Sequence, residues 1–375
     1  MVIALNTAWN LLNFRSGLIR ALIANGYEVV AVAPPDEYAQ QLQALGCRYV
    51  ALPMDNKGTH PGRDIFLLMR FYWLLKQERP NVFLGYTVKP NVYGSLAAHA
   101  LSIPVINNIA GLGTVFIRGG WLSRLVRNLY RAALSRSATV FFQNDDDRKM
   151  FVSEGLVNGE ITDRLPGSGI DLQSFSPCPL PGRPTLRFLL IARMLRDKGV
   201  LEFVGAARTL KRLGINAEFC LLGFLDAQNP TAISRNQMDE WVADGAVRYL
   251  GVSDNVREEI ALADCVVLPS YREGTPRTLL EAAAMARPIV TTDTVGCREV
   301  VDDGSNGYLC RVKDAKDLAE KIEKVCLLPP EERALMGLRG RKKVEREFDE
   351  QIVIKMYLDA ISSILSAGKY VQERI

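Results

Sequence analysis

Several signatures of common enzyme classes are missing from this sequence of 375 residues. Its seven cysteines form no Cys-x-x-Cys pair and no Cys/His cluster, so no zinc site is predicted. No Gly-x-Gly-x-x-Gly follows the first apolar run, which excludes a nicotinamide dehydrogenase. Only two histidines are present, His60 and His99, and they do not support an imidazole catalyst. No Asp-x-Asp pair is placed to bind a metal, because Asp145-Asp146-Asp147 is expected to begin a solvated helix.

An excess of charge and a long apolar run are also missing. The 46 Lys and Arg residues are offset by 42 Asp and Glu, so a net charge of +4 gives no argument for nucleic-acid binding. The uncharged stretch from Pro90 to Ile117 is interrupted by polar residues and glycines, which argues against a membrane-spanning helix. The apolar run Val2–Ala4 has no basic flank and the cysteines are scattered, so we expect no signal peptide and a cytoplasmic location.

The sequence does contain a repeated alternation of short apolar runs and helix-periodic segments, which predicts parallel βαβ units. The plan occurs twice, on either side of a stretch rich in Pro and Gly that is expected to be a linker. We therefore predict an α/β protein with two doubly wound, Rossmann-like domains that face each other across a cleft. The predicted boundaries are 1–164 for the N-terminal domain, 165–184 for the hinge linker, 185–348 for the C-terminal domain, and 349–375 for a final helix returning to the first domain.

The most informative segment, Ser270–Glu281, follows an apolar run and opens a helix. Thr275 is expected to be the N-cap and Pro276 the first helical residue. Free backbone N–H groups at such a helix start suit a diphosphate. Glu273 and Glu281 place carboxylates beside that position, where they can accept hydrogen bonds from sugar or ribose hydroxyls. Glu281 lies in an apolar run, so it is expected to have a partner, because an unpaired buried charge is costly.

A second segment supplies cations. Arg193 and Lys198 follow the predicted strand Leu186–Ile191 and precede a helix. Two fixed cations at a strand's carboxyl end can neutralise a diphosphate leaving group without a metal. Taken singly, each of these residues could also be an ordinary solvated loop residue.

With these motifs the sequence resembles the retaining GT-B glycosyltransferases of glycosyltransferase family 4, over nearly the whole chain. It is more narrowly similar to the bacterial capsule, O-antigen and protein-glycosylation branch, which acts on polyprenyl-diphosphate-linked sugars. The motifs that carry the resemblance are Tyr86-x2-Lys89-Pro-Asn91, Asn107-Asn-Ile-Ala-Gly-Leu-Gly113, Phe142-Gln-Asn-Asp145, Pro166-Gly-Ser-Gly-Ile-Asp171, Arg193 with Lys198-Gly199, Gly251 with Asp254, Glu273-x7-Glu281 and Gly296-Cys-Arg-Glu299.

The resemblance implies a retaining, metal-independent hexosyltransferase without a cofactor. It would move a hexose, an N-acetylhexosamine, from a UDP-sugar to a polyprenyl-diphosphate-linked saccharide during surface polysaccharide or glycoprotein glycan assembly. By the same resemblance Arg193 and Lys198 bind the donor diphosphate, Glu273 the donor sugar and Glu281 the ribose. Further expected donor-binding residues are Gly251, Gly274, Thr275, Arg277 and Thr278, and the expected acceptor-binding residues are Asn13, Arg15, Lys89, Asn108, Gly111 and Gly113.

The sequence departs from the family at two places. Where many members carry a histidine, this chain has Ala110, and the expected first loop, Asn6–Arg15, lacks the usual paired glycines. Two alternatives stay open: a GT-B nucleotide-sugar epimerase, disfavoured by the scarcity of histidine, and a non-catalytic sugar-nucleotide-binding subunit, disfavoured by the intact donor motifs.

A basic stretch between Phe116 and Val140 contains five arginines and no acidic residue, with apolar residues at helical spacing. Such a helix either lies on an anionic membrane surface or packs its apolar stripe into the core. We expect peripheral contact with the inner face of the cell membrane. Ile65–Leu75 either extends the same face or belongs to the core. The expected membrane contacts are Arg118, Trp121, Arg124, Arg127 and Arg131.

Overall fold

The computed structural model describes residues 1–55, 61–111, 121–225 and 229–372. His60, Gly113 and Arg118 therefore lie outside the described residues. The chain divides into two compact units, which are described separately. The first contains Met1–Ser168 and Glu350–Ile375, and the second contains Gly169–Asp349.

The first unit is built on a seven-stranded parallel sheet whose order is β3-β2-β1-β4-β5-β6-β7. Every strand except the edge strands β3 and β7 is almost completely buried. This is typical of a parallel sheet that is covered on both faces. The strands are β1 Val2–Ala4, β2 Val30–Ala33, β3 Arg48–Ala51, β4 Phe83–Tyr86, β5 Val105–Ile109, β6 Thr139–Phe142 and β7 Thr162–Arg164.

Helices connect these strands, and one of them returns from the end of the chain. The final helix joins the first unit, where Tyr357 and Ile361 are buried in the same core as Leu11 and Ile19. The helices of this unit are α1 Ala8–Ala24, α2 Ala39–Gln43, α3 Pro61–Glu78, α4 Ser95–Ala100 after a π-helical turn Pro90–Gly94, α5 Trp121–Leu134, α6 Asp145–Ser153 and, at the end, α13 Glu350–Gln372.

The start of α1 corrects one expectation. The stretch Asn6–Arg15 is not a loop, because the helix already begins at Ala8. Thr7 is the N-cap, and its hydroxyl accepts a hydrogen bond from the backbone N–H of Asn10 at 3.0 Å. Leu11 is fully buried on the side of the helix that faces the core, and this burial favours the helical conformation of the segment. The paired glycines of a turn are therefore not required here. Asn13 and Arg15 are therefore helical residues.

The second unit repeats the plan with a six-stranded parallel sheet of order β10-β9-β8-β11-β12-β13. The strand order reverses between β8 and β11, and ligands of such sheets bind at the carboxyl ends of the strands near that point. The strands are β8 Leu186–Ile191, β9 Ala217–Leu222, β10 Arg248–Tyr249, β11 Cys265–Leu268, β12 Ile289–Thr292 and β13 Gly307–Cys310. The helices are α7 Val200–Arg212, α8 Arg235–Ala243, α9 Val256–Ala261, α10 Arg277–Ala284, α11 Ala315–Leu327 and α12 Pro330–Glu347.

These two sheets confirm the predicted α/β class with two doubly wound domains. One detail differs at α10, which begins at Arg277, with Pro276 as its cap residue rather than its first helical residue. Pro276 has an extended ψ of 111°, so the chain turns into the helix one residue later than the Thr275 cap would require. Sequence periodicity also missed α8, α12 and the edge strand β7.

Candidate active site

Two loops of the second unit form its candidate site, and neighbouring strands bring them together. The first loop, Ala192–Gly199, leaves β8, and the second, Pro269–Pro276, leaves β11. Because β8 and β11 pair in parallel, both loops emerge at the same edge of the sheet. The backbone N–H of Tyr271 donates to the carbonyl of Asp197 at 2.9 Å and joins the loops directly.

Gly199 permits this close approach. Its backbone has φ of +73°, and a Cβ at this position would overlap the carbonyl oxygen of Pro269. Only glycine satisfies both requirements without strain. The Lys198-Gly199 pair therefore places a lysine one residue before the point where Gly199 approaches Pro269.

Lys198 and Glu273 meet between these loops. The Lys198 Nζ forms an ion pair with Glu273 Oε1, and both side chains are mostly buried. The same carboxylate oxygen accepts a hydrogen bond from Ser270 Oγ at 2.7 Å. A cation and a carboxylate predicted to bind adjacent parts of one donor therefore lie in contact.

The backbone of Glu273 is fixed as well. Its N–H donates to the carbonyl of Val295 at 3.0 Å, in the turn after β12. Gly296 has φ of +85°, and a Cβ there would lie 2.6 Å from the carbonyl oxygen of Glu273 and closer still to that of Gly274. Because Gly296 has no side chain, the turn after β12 can pack directly against the backbone of Glu273 and Gly274.

Glu281 has the partner that its apolar surroundings required. Its Oε1 accepts a hydrogen bond from Arg277 Nε at 3.0 Å, one turn earlier on α10. Burial raises the pKa of Glu281 and is opposed by the Arg277 guanidinium. Thr278 Oγ1 donates to the carbonyl of Ile191 at 3.3 Å, which holds the start of α10 against the end of β8. Arg277 and Thr278, expected to contact the donor, thus make contacts that organise the site.

The remaining predicted donor residues lie at the same edge. Arg193 is exposed in the loop after β8, and no ion pair to it is found among the described residues. Gly251 follows β10, has φ of +76°, and accepts a hydrogen bond from the N–H of Gly223 at 2.7 Å. Gly274 and Thr275 are half-buried in the loop before α10.

Sequence reasoning missed the residues that support this site. Tyr271 donates its hydroxyl to Glu202 Oε1 at 2.8 Å, and Lys313 Nζ lies 4.9 Å above the Tyr271 ring. Thr294 Oγ1 donates to the carbonyl of Tyr271 at 3.0 Å. The only signal in the sequence was the position of Tyr271 within the Ser270–Glu281 segment, because Glu202, Thr294 and Lys313 come from distant parts of the chain.

The acceptor residues predicted in the first unit do not form one exposed group. Asn108 is fully buried and donates through Nδ2 to the Tyr357 hydroxyl at 2.9 Å, while its Oδ1 has no hydrogen-bond partner among the described residues. Arg15 is also buried, with its guanidinium 4.5 Å above the centre of the Tyr86 ring. The Asn108 side chain thus joins β5 to α13, and its expected contact with the acceptor stays a prediction. Asn13 is exposed and donates to the carbonyl of Trp9 at 2.9 Å.

Lys89 does line an open cavity in the first unit. Its Nζ forms an ion pair with the buried Asp64 at 2.9 Å. The cavity measures about 380 Å³ and lies at the carboxyl ends of β2, β3 and β4. Gly111, the other predicted acceptor residue within the described part, follows β5 at the same edge of the sheet. The cavity is lined by Pro34, Pro35, Pro53, Met54, Asp55, Arg63, Phe66, Leu67, Arg70 and Lys89.

Two arginines of the arginine-rich helix α5 form contacts within the first unit. Arg127 forms an ion pair with Glu154 at 3.1 Å, and Arg131 donates to the carbonyls of Glu154 and Gly155. These two arginines therefore fix α5 to the end of α6, and their expected contact with a membrane stays a prediction. Arg124 is exposed. Trp121 begins the helix, and its side chain lies outside the described residues.

Two features are absent from the described ranges. No helix there is both long and apolar enough to cross a bilayer. No three His, Cys, Asp or Glu side chains of the described residues are grouped so that they could hold a metal ion.

Comparison with known proteins gives matches over both units. A family model described as "Glycosyl transferase 4-like domain" matches residues 14–162, and one described as "Glycosyl transferases group 1" matches residues 185–327. N,N'-diacetylbacillosaminyl-diphospho-undecaprenol alpha-1,3-N-acetylgalactosaminyltransferase of Campylobacter jejuni is 31% identical over 94% of this chain and 96% of its own length. A capsular polysaccharide biosynthesis glycosyltransferase of Staphylococcus aureus is 26% identical over 77% of this chain and 78% of its own.

The fold is also shared with solved structures. Anabaena HepE in complex with UDP-glucose superposes with a TM-score of 0.79, covering 96% of this chain and 99% of that chain, at 16% identity. At that identity the likeness concerns the fold alone. The family, in contrast, is established by the two matching family models and by the full-length relative. The chain belongs to the family-4-like, group 1 glycosyltransferases of the GT-B fold.

Proposed function

We propose that this glycosyltransferase transfers an N-acetylhexosamine from a UDP-sugar to a polyprenyl-diphosphate-linked saccharide, with retention of configuration and without a metal or cofactor. The acceptor would serve surface polysaccharide or glycoprotein glycan assembly. The observation that carries the proposal is the Lys198–Glu273 contact between the loops after β8 and β11.

The residues at this edge of the sheet can each bind a different part of a UDP-sugar. Lys198 and the exposed Arg193 offer two cations on one loop, where they can stabilise the negative charge that develops on the departing diphosphate. Glu273 can accept hydrogen bonds from hydroxyls of the transferred sugar, and Glu281 from the ribose. The N–H groups at the start of α10 can add hydrogen bonds to the phosphates.

The proposed acceptor follows from the name of the Campylobacter relative. The Campylobacter protein is named for transfer of N-acetylgalactosamine to a saccharide on diphospho-undecaprenol, and it aligns with this chain over nearly its full length. Lys89 and the exposed Arg63 and Arg70 give the cavity of the first unit a basic lining, which suits the diphosphate of such an acceptor.

A lipid-linked acceptor requires the enzyme to work at a membrane. We propose peripheral association at the inner face of the cell membrane through the first unit. On α5, the exposed Arg124 and Leu125 are available for this contact. Arg118, Trp121, Arg127 and Arg131 stay proposed contacts from the sequence.

The proposal is tested with a panel of UDP-sugars and polyprenyl-diphosphate saccharides, followed by mass spectrometry of the lipid product. We expect extension of the acceptor by one hexosamine, with the anomeric configuration of the donor kept when the product is examined by NMR. An interconverted nucleotide sugar, with the acceptor unchanged, would instead identify an epimerase. Nucleotide binding without either reaction would identify a non-catalytic subunit.

A further inference from the structure

Helix α3 exposes an unusual amount of apolar surface. Four of its large apolar side chains are at least half exposed: Ile65 at 60%, Phe66 at 64%, Met69 at 50% and Trp73 at 60%. Isolated exposed apolar residues are normal, but a group on one helix marks an interaction surface.

They form one stripe along the helix. At 100° per residue, Ile65, Met69, Trp73 and Phe66 fall within an arc of about 100°. The opposite side of the helix carries its core residues, and among them Phe71 and Leu75 are fully buried. The stripe thus points away from the core of its own unit, and packing among the described residues of that unit leaves it exposed.

The charges around this stripe are predominantly basic. Arg70 and Lys76 are exposed beside it, and no ion pair to either is found within the described residues. Lys76 Nζ lies 5.0 Å from the centre of the Trp73 ring. The acidic residues of α3 are turned elsewhere, since Asp64 is buried against Lys89 and Glu78 pairs with Arg48. Arg63 is exposed as well and pairs with Asp55 at 3.0 Å.

We propose that α3 is the helix that anchors this protein in an anionic lipid surface, with Ile65, Phe66, Met69 and Trp73 inserted among the acyl chains. The charge pattern selects this occupant, because a partly basic rim complements anionic headgroups while Trp and the long apolar side chains suit the interface. The inference rests on the proposed function in one respect: membrane binding would hold the enzyme close to its lipid-linked acceptor.

This assigns the apolar part of the contact to a different helix from the arginine-rich α5. On α5, Val126 and Tyr130 are buried in the core of the unit, and Arg127 and Arg131 are engaged at the end of α6. The basic residues of α5 can add attraction to an anionic surface, but its buried apolar side chains cannot insert. Helix α3 presents apolar side chains that are free to do so.

The test is co-sedimentation of the full chain with vesicles of phosphatidylcholine that contain phosphatidylglycerol, compared with vesicles of phosphatidylcholine alone. The variant Phe66→Ser/Trp73→Ser is compared with wild type and with a matched control, Leu335→Ser/Leu338→Ser, on helix α12 of the other unit, where both leucines are 47% exposed. We expect the α3 variant to lower the vesicle partition coefficient at least about tenfold. The control should partition like wild type.

Thermal melting establishes that each variant is folded. Calorimetric UDP binding should be unchanged in the α3 variant, since the candidate nucleotide site lies in the second unit. The inference is overturned if wild type does not bind anionic vesicles, or if the α3 and control variants partition equally. It is also overturned if wild type without vesicles is a dimer by light scattering and the α3 variant a monomer, because a second copy then covers the stripe. Vesicle binding through α3 without any sugar transfer would overturn the proposed function and leave this inference intact.

Discussion

Lys198 and Glu273 lie 75 residues apart in the sequence and form an ion pair at the carboxyl edge of the second sheet. Ser270 donates to the same carboxylate oxygen, which fixes the acid from a second direction. The ammonium has three donors, so it can contact a diphosphate while keeping Glu273. We propose that the pair couples recognition of the sugar to stabilisation of the leaving group.

The first prediction concerns the two cations. Lys198→Ala and Arg193→Ala should each lower kcat by roughly a hundredfold or more, because each removes charge stabilisation of the departing diphosphate. Steady-state kinetics with a saturating lipid acceptor provide the measurement. Arg196→Ala, an exposed arginine in the same loop, is the matched control and should retain near wild-type turnover. Near wild-type rates for both Lys198→Ala and Arg193→Ala would disprove the diphosphate assignment.

Glu281 gives a prediction that separates binding from stability. Its pKa is raised by burial, so its contribution to stability is fully present below the pKa of the unfolded chain and is lost as pH rises through the folded-state pKa. Glu281→Gln never ionises, and its amide oxygen can still accept a hydrogen bond from Arg277. At pH 7 the variant should therefore be at least as stable as wild type, and its advantage should shrink as pH falls through the range in which Glu281 becomes protonated.

The same variant should bind UDP about tenfold or more weakly, because a charge-assisted hydrogen bond to the ribose is lost. Calorimetry measures the affinity, and denaturant unfolding at several pH values measures the stability. Glu320→Gln, on the exposed side of α11, serves as the control for charge alone. Unchanged UDP affinity in Glu281→Gln would show that the carboxylate is only a structural partner of Arg277.

Gly296 tests the support of the site by the β12 turn. Gly296→Ala should lower turnover strongly, because a Cβ would collide with the carbonyls of Glu273 and Gly274 and displace that segment. Gly304→Ala is the matched control, since its φ of +75° is similar but a Cβ there meets nothing within 4 Å. Kinetics and melting temperature are measured for both. Equal losses would mean that backbone strain alone, rather than the collision, determines the effect.

The fourth prediction concerns metal. Transfer should continue at an undiminished rate in excess EDTA, because Arg193, Lys198 and the start of α10 supply the positive charge at the diphosphate. The assay compares initial rates before and after chelation, with added manganese as the second arm. Loss of activity in EDTA that manganese restores would contradict this electrostatic account.

The sequence predicted the fold class well, because buried parallel strands and amphipathic helices differ in hydrophobic period. The predictions of individual elements were wrong where local composition and tertiary packing favour different structures. The polar residues of Asn6–Arg15 resemble a loop, yet the Thr7 cap and the buried Leu11 favour helix there. Helix α12 is rich in charged residues and has little apolar periodicity, but it packs on α10. The approach is close, because a Cβ on Gly337 of α12 would overlap the carbonyl of Ala286, just after α10.

For the candidate site, the sequence indicated which residues belong to the loops after β8 and β11, since each motif is contiguous. It did not indicate the pairing of Lys198 with Glu273, because that contact depends on β8 lying beside β11. Nor did it separate exposed from buried polar residues in the first unit. Asn108 and Arg15 carry polar side chains that the fold encloses against Tyr357 and Tyr86, and only tertiary packing determines that enclosure.

The most direct test of the central claim measures sugar transfer in wild type, Lys198→Ala, Glu273→Gln and the double variant. The substrates are a UDP-N-acetylhexosamine and a polyprenyl-diphosphate saccharide, and the extended lipid is quantified by mass spectrometry. We expect wild type to extend the acceptor, each single variant to be strongly impaired, and the double variant to lose less than the product of the two losses, because the residues act as a unit. Full activity in both single variants, or no transfer by wild type to any such acceptor, would contradict the account.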